Sequence, residues 1–114
     1  MKTGEVAVLD SPASWEAFKQ AGGPSVLFKF SPRCPVSFAA EDEYNRWLAA
    51  LSEKPPFRVG RIDVVAQREL SRAIAQETGV RHESPQVIWF AADGKVASHT
   101  SHGDITAEAL GARG

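Results

Sequence analysis

The chain is poor in cysteine: its 114 residues include one, Cys34. A single thiol excludes an internal disulfide and any zinc site built from several cysteines. An excess of charge of one sign is also missing, because the formal net charge is -1. This removes the general electrostatic case for binding nucleic acid or an anionic membrane.

Long apolar segments are missing as well. No apolar run approaches the roughly 18 residues that a membrane span requires. The N-terminal residues do not form a charged region leading into a long apolar core, as a signal peptide would. We therefore expect a cytoplasmic protein with no membrane partner.

What remains has the composition of an ordinary globular domain. The chain is 43% hydrophobic and 24% charged, both within the usual range. Its length suits one domain, which would bury about two-thirds of the surface of the unfolded chain. Since no repeat, linker or low-complexity segment divides it, we expect a single domain over residues 1–114.

Cys34 lies where an apolar run, 26–30, gives way to a helical pattern that begins at Pro35. The first N–H groups of a helix have no intrahelical partner, and the helix dipole places partial positive charge there. Both effects favour the thiolate over the thiol and lower the pKa of a cysteine. A lone cysteine is more often buried and inert, but a position between Pro32-Arg33 and Pro35 suits core packing poorly. We interpret Cys34 as a reactive nucleophile.

Three neighbours fit this interpretation. Pro35 suits the start of a helix, where a missing N–H costs nothing. Ser37 is close enough along the helix to donate a hydrogen bond to the Cys34 sulfur, although an ordinary serine at a helix start is an equal alternative. Arg33 adds an adjacent cation.

Apolar periodicity predicts alternating strands and helices. Lys29 interrupts an almost continuously apolar strand, and we expect its side chain to reach out at the end of that strand. Ser11 is a predicted N-cap, and Asp93-Gly94 is a predicted hairpin turn. Strands are predicted at 6–9, 25–30, 57–64, 86–90 and 96–99, and helices from residue 12 and over 35–53, 66–79 and 105–112. The order β-α-β-α-β-α-β-β-α implies a mixed α/β sheet of four to five strands with helices on both faces.

These elements together resemble the thioredoxin fold, with the cysteine at the start of the second helix. In that superfamily a cis-proline opens the strand before the hairpin and lies against the reactive cysteine. Ser84-Pro85 occupies this place. The resemblance therefore implies a thioredoxin-like fold with a five-stranded mixed sheet and a cis peptide bond at Pro85.

More specifically, the chain resembles the monothiol bacilliredoxins, the YtxJ-type thioredoxin-like proteins of the bacillithiol system. It departs from the family at Pro32-Arg33, where small hydroxyl residues are commoner, and at Gly103, where an aromatic residue is often found. The matching segments are FKFS at 28–31, CPVS at 34–37, GVRHESPQ at 79–86, HTSH at 99–102 and Ile105-Thr106.

The resemblance implies a thiol-disulfide oxidoreductase. A second cysteine would resolve a mixed disulfide, but Ser37 stands at that place. Cys34 can therefore exchange once and then needs an outside thiol. The family implies that bacillithiol is the small thiol co-substrate, with no bound cofactor, and that the partners are S-bacillithiolated proteins and a recycling reductase.

The resemblance also implies roles near the proline. Pro85 would shape the floor of a groove, and the Ser84 backbone could pair with an extended substrate segment. Arg33 would contact the malate group of bacillithiol, or else remain a solvated loop residue. His82 and Glu83 would steer protons or bind the sugar. Pairing of Glu83 with a cation such as Arg81 or Arg33 is the plain structural alternative.

Metal and cluster chemistry are weaker alternatives. His99 and His102 lie close in sequence without a third ligand nearby, so solvated or capping roles are favoured and no metal site is expected. Monothiol glutaredoxins also use Cys-x-x-Ser, and some hold an iron–sulfur cluster. Their Gly-Phe is replaced here by Pro35-Val36, which counts against that function. A non-catalytic thioredoxin-fold binding module with an inert cysteine is the other alternative.

Overall fold

The structure, a computed structural model, describes residues 7–32, 35–50 and 57–113. The described residues confirm the predicted order of elements. They form β1 (Ala7–Val8), α1 (Pro12–Gln20), β2 (Ser25–Phe30), α2 (Pro35–Ala50), β3 (Arg58–Asp63), α3 (Arg68–Thr78), β4 (Gln86–Phe90), β5 (Val96–Ser101) and α4 (Ala107–Arg113). The predicted positions 6 and 51–53 lie outside the described residues.

The strands form one mixed sheet in the order β1-β3-β2-β4-β5. β1, β3 and β2 run parallel, whereas β4 is antiparallel to both β2 and β5. β2 lies at the centre and is buried over nearly its whole length. Helices that cover both faces account for this, as expected for a nearly continuous apolar strand.

Successive residues of β2 point to opposite faces of the sheet, so the sheet separates two cores. Leu27 belongs to the core that α1 and α3 cover. Val26 and Phe28 belong to the core under α2 and α4. Phe28 stacks on Tyr44 of α2, with ring centroids 4.5 Å apart.

The predicted turn signals occur where expected. The Ser11 hydroxyl accepts a hydrogen bond from the Ser14 N–H at 3.1 Å, and Pro12 opens α1. Gly79 ends α3 at φ 74°, a conformation that glycine adopts without steric cost. Gly94 has φ 86° in the β4–β5 turn, and the Lys95 N–H donates to the Asp93 side chain at 3.0 Å.

α4 begins later than the sequence pattern predicts. A short 3₁₀ turn, His102–Asp104, takes up the residues after β5. The Thr106 hydroxyl then accepts a hydrogen bond from the Ala109 N–H at 3.1 Å, the geometry of an N-cap. The Ala107 N–H donates to Glu43 of α2 at 2.8 Å, so a carboxylate from another helix also stabilises the start of α4.

The prediction that Lys29 reaches out of the sheet is wrong. Its side chain is completely buried, because strand alternation places it with Leu27 on the face that α1 and α3 cover.

Among the described helices, none has the length and apolar character that a membrane span needs.

Candidate active site

The site was predicted around Cys34, which, with Arg33, lies outside the described residues. The nucleophilic role of Cys34 and the substrate contact of Arg33 therefore stay predictions. α2 begins at Pro35, as predicted, so Cys34 directly precedes the first helical residue. That position is next to the positive end of the helix dipole, which favours a thiolate.

Ser37 joins the start of α2 to the end of β2. Its side chain is buried, and its hydroxyl oxygen accepts a hydrogen bond from the Ser31 N–H at 2.8 Å. A hydroxyl that accepts one hydrogen bond still carries its own O–H donor. Ser37 is therefore fixed near the loop that contains Cys34, and a hydrogen bond to the sulfur stays a prediction.

The peptide bond between Ser84 and Pro85 is cis, and Pro85 is buried at the entry to β4. The Pro85 carbonyl accepts a hydrogen bond from the His102 N–H at 2.9 Å, which ties this bend to the end of β5. The Ser84 hydroxyl oxygen is buried and has no hydrogen-bond partner among the described residues. The bend is thus held through its backbone rather than through the Ser84 side chain.

Glu83 lies between the bend and β5. A hydrogen bond from Ser101 lowers the pKa of Glu83, and electrostatic interactions with His102 and Arg81 act in the same direction. His102 Nε2 is 3.9 Å from Glu83 Oε1. Both predicted alternatives for Glu83 stay predictions, and His102 is a neighbour that the sequence did not suggest.

His82 rests against α3. Its Nδ1 is 3.2 Å from the hydroxyl oxygen of Ser71, which is buried. Burial lowers the pKa of His82, and the charges of Lys29 and Arg72 lower it further. The imidazole is therefore mainly neutral at pH 7, the form that accepts a proton.

Two buried polar residues that the prediction did not include lie beneath this segment. Lys29 Nζ donates to Gln86 Oε1 at 3.1 Å. The Gln86 amide nitrogen in turn donates to the Arg81 carbonyl at 3.1 Å and to the Ser101 hydroxyl at 3.3 Å. The nearly continuous apolar run around Lys29 gave a usable signal, because such a strand is covered on both faces.

The structure thus brings His82, Glu83, Ser84 and Pro85 together with the end of β5. Pro35 is exposed at the start of α2, and His99 is exposed on β5. Within the described ranges, no group of three or more His, Cys, Asp or Glu side chains could hold a metal ion.

Exposed apolar side chains adjoin the position of Cys34. Val36 and Phe38, in the first turn of α2, are 46% and 54% exposed. Val65 follows β3, which is parallel to β2, so it lies at the same edge of the sheet as the loop after β2. Apolar side chains exposed at one edge are typical of surfaces that contact other proteins.

The comparisons with known proteins agree with this arrangement. A family model for the monothiol bacilliredoxin BrxC matches residues 7–110. The chain belongs to the monothiol bacilliredoxin family. Membership makes it a thioredoxin-like thiol oxidoreductase and confirms the resemblance seen in its sequence.

Solved structures support the same fold. A protein with a thioredoxin fold, itself proposed to be an oxidoreductase, is 30% identical to this bacilliredoxin, with a TM-score of 0.82 over 96% of this chain and 93% of that one. The thioredoxin of Malassezia sympodialis is 20% identical, with a TM-score of 0.72 over 99% and 90% of the two chains. Trxlp from Edwardsiella tarda EIB202 is also 20% identical, with a TM-score of 0.71 over 96% and 97%. The last two likenesses concern the fold alone.

Proposed function

We propose that this protein removes bacillithiol from S-bacillithiolated proteins through a mixed disulfide on Cys34. The observation that carries the proposal is the match to the monothiol bacilliredoxin family over nearly the whole chain. The single cysteine directly before α2, with Ser37 in place of a resolving cysteine, agrees with it.

The chemistry is one thiol-disulfide exchange. The Cys34 thiolate attacks the bacillithiol sulfur of the protein–bacillithiol disulfide. The old S–S bond breaks, a new S–S bond joins Cys34 to bacillithiol, and the target cysteine leaves as a thiolate that takes a proton from solvent. No net oxidation occurs in this step. A second thiol or a reductase then attacks the Cys34 mixed disulfide and restores the free thiol.

The protein part of the substrate would contact the exposed apolar side chains beside Cys34. Val36 and Phe38 offer such a surface on α2. The backbone at Ser84, before the cis bond, would pair with an extended segment of the target protein as a neighbouring strand does.

The small thiol would be held by cations and polar groups. Bacillithiol carries a malate group, and Arg33 is the proposed contact for its carboxylates. His82 and Glu83 would assist by moving protons or binding the sugar. An open groove of about 620 Å³ next to His82 is lined by Arg72 and Arg81, so cationic surface continues on the α3 side of the bend.

Transfer of the adduct can be followed directly by intact mass. The reduced protein is incubated with a bacillithiolated target and, separately, with the glutathionylated form of the same target. We expect the bacillithiol mass to leave the target and appear on the wild type, but not on a Cys34→Ser variant, and transfer from the glutathionylated target to be slower.

Three outcomes would contradict the proposal. Equal transfer rates from the two targets would show that the protein does not prefer bacillithiol. No transfer from either target, while Cys34 reacts normally with an alkylating reagent, would remove the transferase function and favour a binding module. Visible absorbance after anaerobic purification would instead favour an iron–sulfur cluster carrier.

A further inference from the structure

Lys29 differs from the other charged side chains that the structure describes, because it alone is completely buried. It lies in the central strand of the sheet, where β2 is otherwise nearly continuous in Val, Leu and Phe. Burying an ammonium group is costly unless it is paired. A lysine in this position therefore calls for an explanation beyond packing.

The hydrogen-bond partner of Lys29 is neutral. Gln86 Oε1 accepts from Nζ at 3.1 Å, and the Gln86 amide nitrogen is occupied by the Arg81 carbonyl and the Ser101 hydroxyl. These two acceptors fix the orientation of the amide, so its oxygen must face the ammonium. Within the described residues, no carboxylate forms an ion pair with Lys29. The positive charge is thus stabilised but not cancelled.

The charged groups around this pair come from several elements. Glu83, in the segment before β4, attracts the ammonium from a distance. His82 in the same segment is disfavoured as a cation by Lys29 and by Arg72 of α3. His99 and His102 of the β5 side act on Glu83. Burial lowers the pKa of Lys29 to about 8, so most of the side chain carries its charge at pH 7.

The pair lies next to the Ser84–Pro85 bend. Lys29 is directly opposite Gln86 in the β2–β4 register, and Gln86 directly follows Pro85. Along the chain, Lys29 is near the end of the strand that leads to Cys34. A charge inside the protein acts through a lower effective dielectric than one at the surface, so its field at a nearby thiol is weakly screened.

We propose that the buried Lys29–Gln86 pair is an internal electrostatic support of the active site, with the Lys29 ammonium favouring the Cys34 thiolate over the thiol. The proposal rests on the nucleophilic role of Cys34 in the proposed function. Lys29 does not contact the substrate and is a positioning residue that acts through its charge. The thiol proton is lost to solvent, and no other bond changes.

The test compares the pKa of the Cys34 thiol in four proteins: the wild type, Lys29→Met, Lys29→Gln and Lys95→Met. The pKa is obtained from the pH dependence of alkylation by iodoacetamide, which reports on Cys34 because the chain has one cysteine. Near-UV circular dichroism verifies that each variant is folded. Lys95→Met is the matched control, since it removes the same charge from the exposed β4–β5 turn.

We expect the thiol pKa to rise by about 0.5 unit or more in both Lys29 variants and to stay unchanged in Lys95→Met. Wild-type values in both Lys29 variants would overturn the proposal. A rise in Lys29→Met that Lys29→Gln reverses would also overturn it, because glutamine restores a hydrogen-bond donor without restoring the charge.

If the Lys29 variants fail to fold, the thiol pKa of a Gln86→Glu variant provides a second test. A carboxylate at position 86 would pair with Lys29 and cancel its field, so the thiol pKa is expected to rise here too, and an unchanged or lower value would contradict the proposal. These titrations need no bacillithiol. If the wild type fails to transfer the adduct but the variants shift the thiol pKa, the proposed function alone is rejected. If the wild type transfers the adduct normally and the variants do not shift the pKa, the role of Lys29 alone is rejected.

Discussion

Two serines near the candidate site differ in how their hydroxyl groups are bonded. The Ser37 oxygen is buried and accepts the Ser31 N–H at 2.8 Å. The Ser84 oxygen is also buried, yet has no partner among the described residues. Removing the two hydroxyls should therefore have different consequences for stability.

Ser37→Ala is expected to lower the free energy of unfolding by about 1 kcal/mol, because it removes the acceptor of a buried hydrogen bond. Ser84→Ala is the matched control and should stay within about 0.5 kcal/mol of the wild type. Urea unfolding followed by tryptophan fluorescence measures both. Equal losses in the two variants would contradict the assigned hydrogen bond.

The burial of Lys29 makes stability depend on pH. Its pKa falls from the ordinary 10.5 to about 8 in the folded protein, so between these values the unfolded chain binds more protons at this site than the folded protein does. The contribution of Lys29 to the free energy of unfolding therefore increases as the pH rises through that window. Below the window, burial of the charged side chain lowers the stability of the protein. Lys29→Met lacks the titrating group and should lack this rise.

We expect the free energy of unfolding of the wild type to increase by about 2 kcal/mol relative to Lys29→Met between pH 7 and pH 10. Urea unfolding at several pH values in this range gives the difference directly. A constant difference between the two proteins would mean that Lys29 titrates at its ordinary value.

For individual residues, the sequence predicted the turns and helix caps better than it predicted which side chains are buried. The Asp93-Gly94 turn and the Ser11 cap depend on local chemistry, and both are present. The surroundings of Lys29 depend on which face of the sheet α1 and α3 cover. Lysine is usually exposed, so the sequence suggested that Lys29 lies outside the core. The strand around it is nevertheless buried on both faces.

Among the elements, α1 and β3 approach each other closely at one glycine. A Cβ atom added at Gly60 would lie 2.8 Å from a ring carbon of Phe18, far inside normal contact distance. Phe18 is itself buried in the core under α1, so its ring has little room to move. Glycine at position 60 therefore lets α1 lie against the sheet.

Gly60→Ala is expected to destabilise the protein by about 1 to 3 kcal/mol through overpacking. Gly103→Ala is the matched control, because a Cβ at Gly103 meets nothing within 4 Å, and it should have little effect. Thermal unfolding of the two variants in parallel distinguishes them. Similar midpoints for both would show that Phe18 moves aside without cost.

The starts of α1 and α2 followed local signals in the sequence, whereas α4 starts two residues later than predicted. α1 and α2 begin at the prolines that mark their starts. α4 begins two positions after the predicted residue 105, because Thr106 caps it and the Ala107 N–H donates to Glu43 of α2. That contact joins distant parts of the chain and has no local signal.

For the molecule as a whole, the fold followed from the order of elements and the site did not. The alternation of strands and helices was sufficient to predict the mixed sheet. The site needs the register of β4 against β2 and β5, which sets Gln86 opposite both Lys29 and Ser101. Such pairings arise from tertiary structure, so the sequence indicated the His82–Pro85 segment but not the residues beneath it.

In the proposed function, Cys34 exchanges once and cannot resolve its own mixed disulfide. The most direct measurement is the amount of target thiol released when reduced protein meets excess bacillithiolated target without any other thiol. We expect a plateau at about one equivalent of released thiol per protein, with further release only after bacillithiol or a reductase is added. Continued release without an added thiol, or none at all, would contradict it.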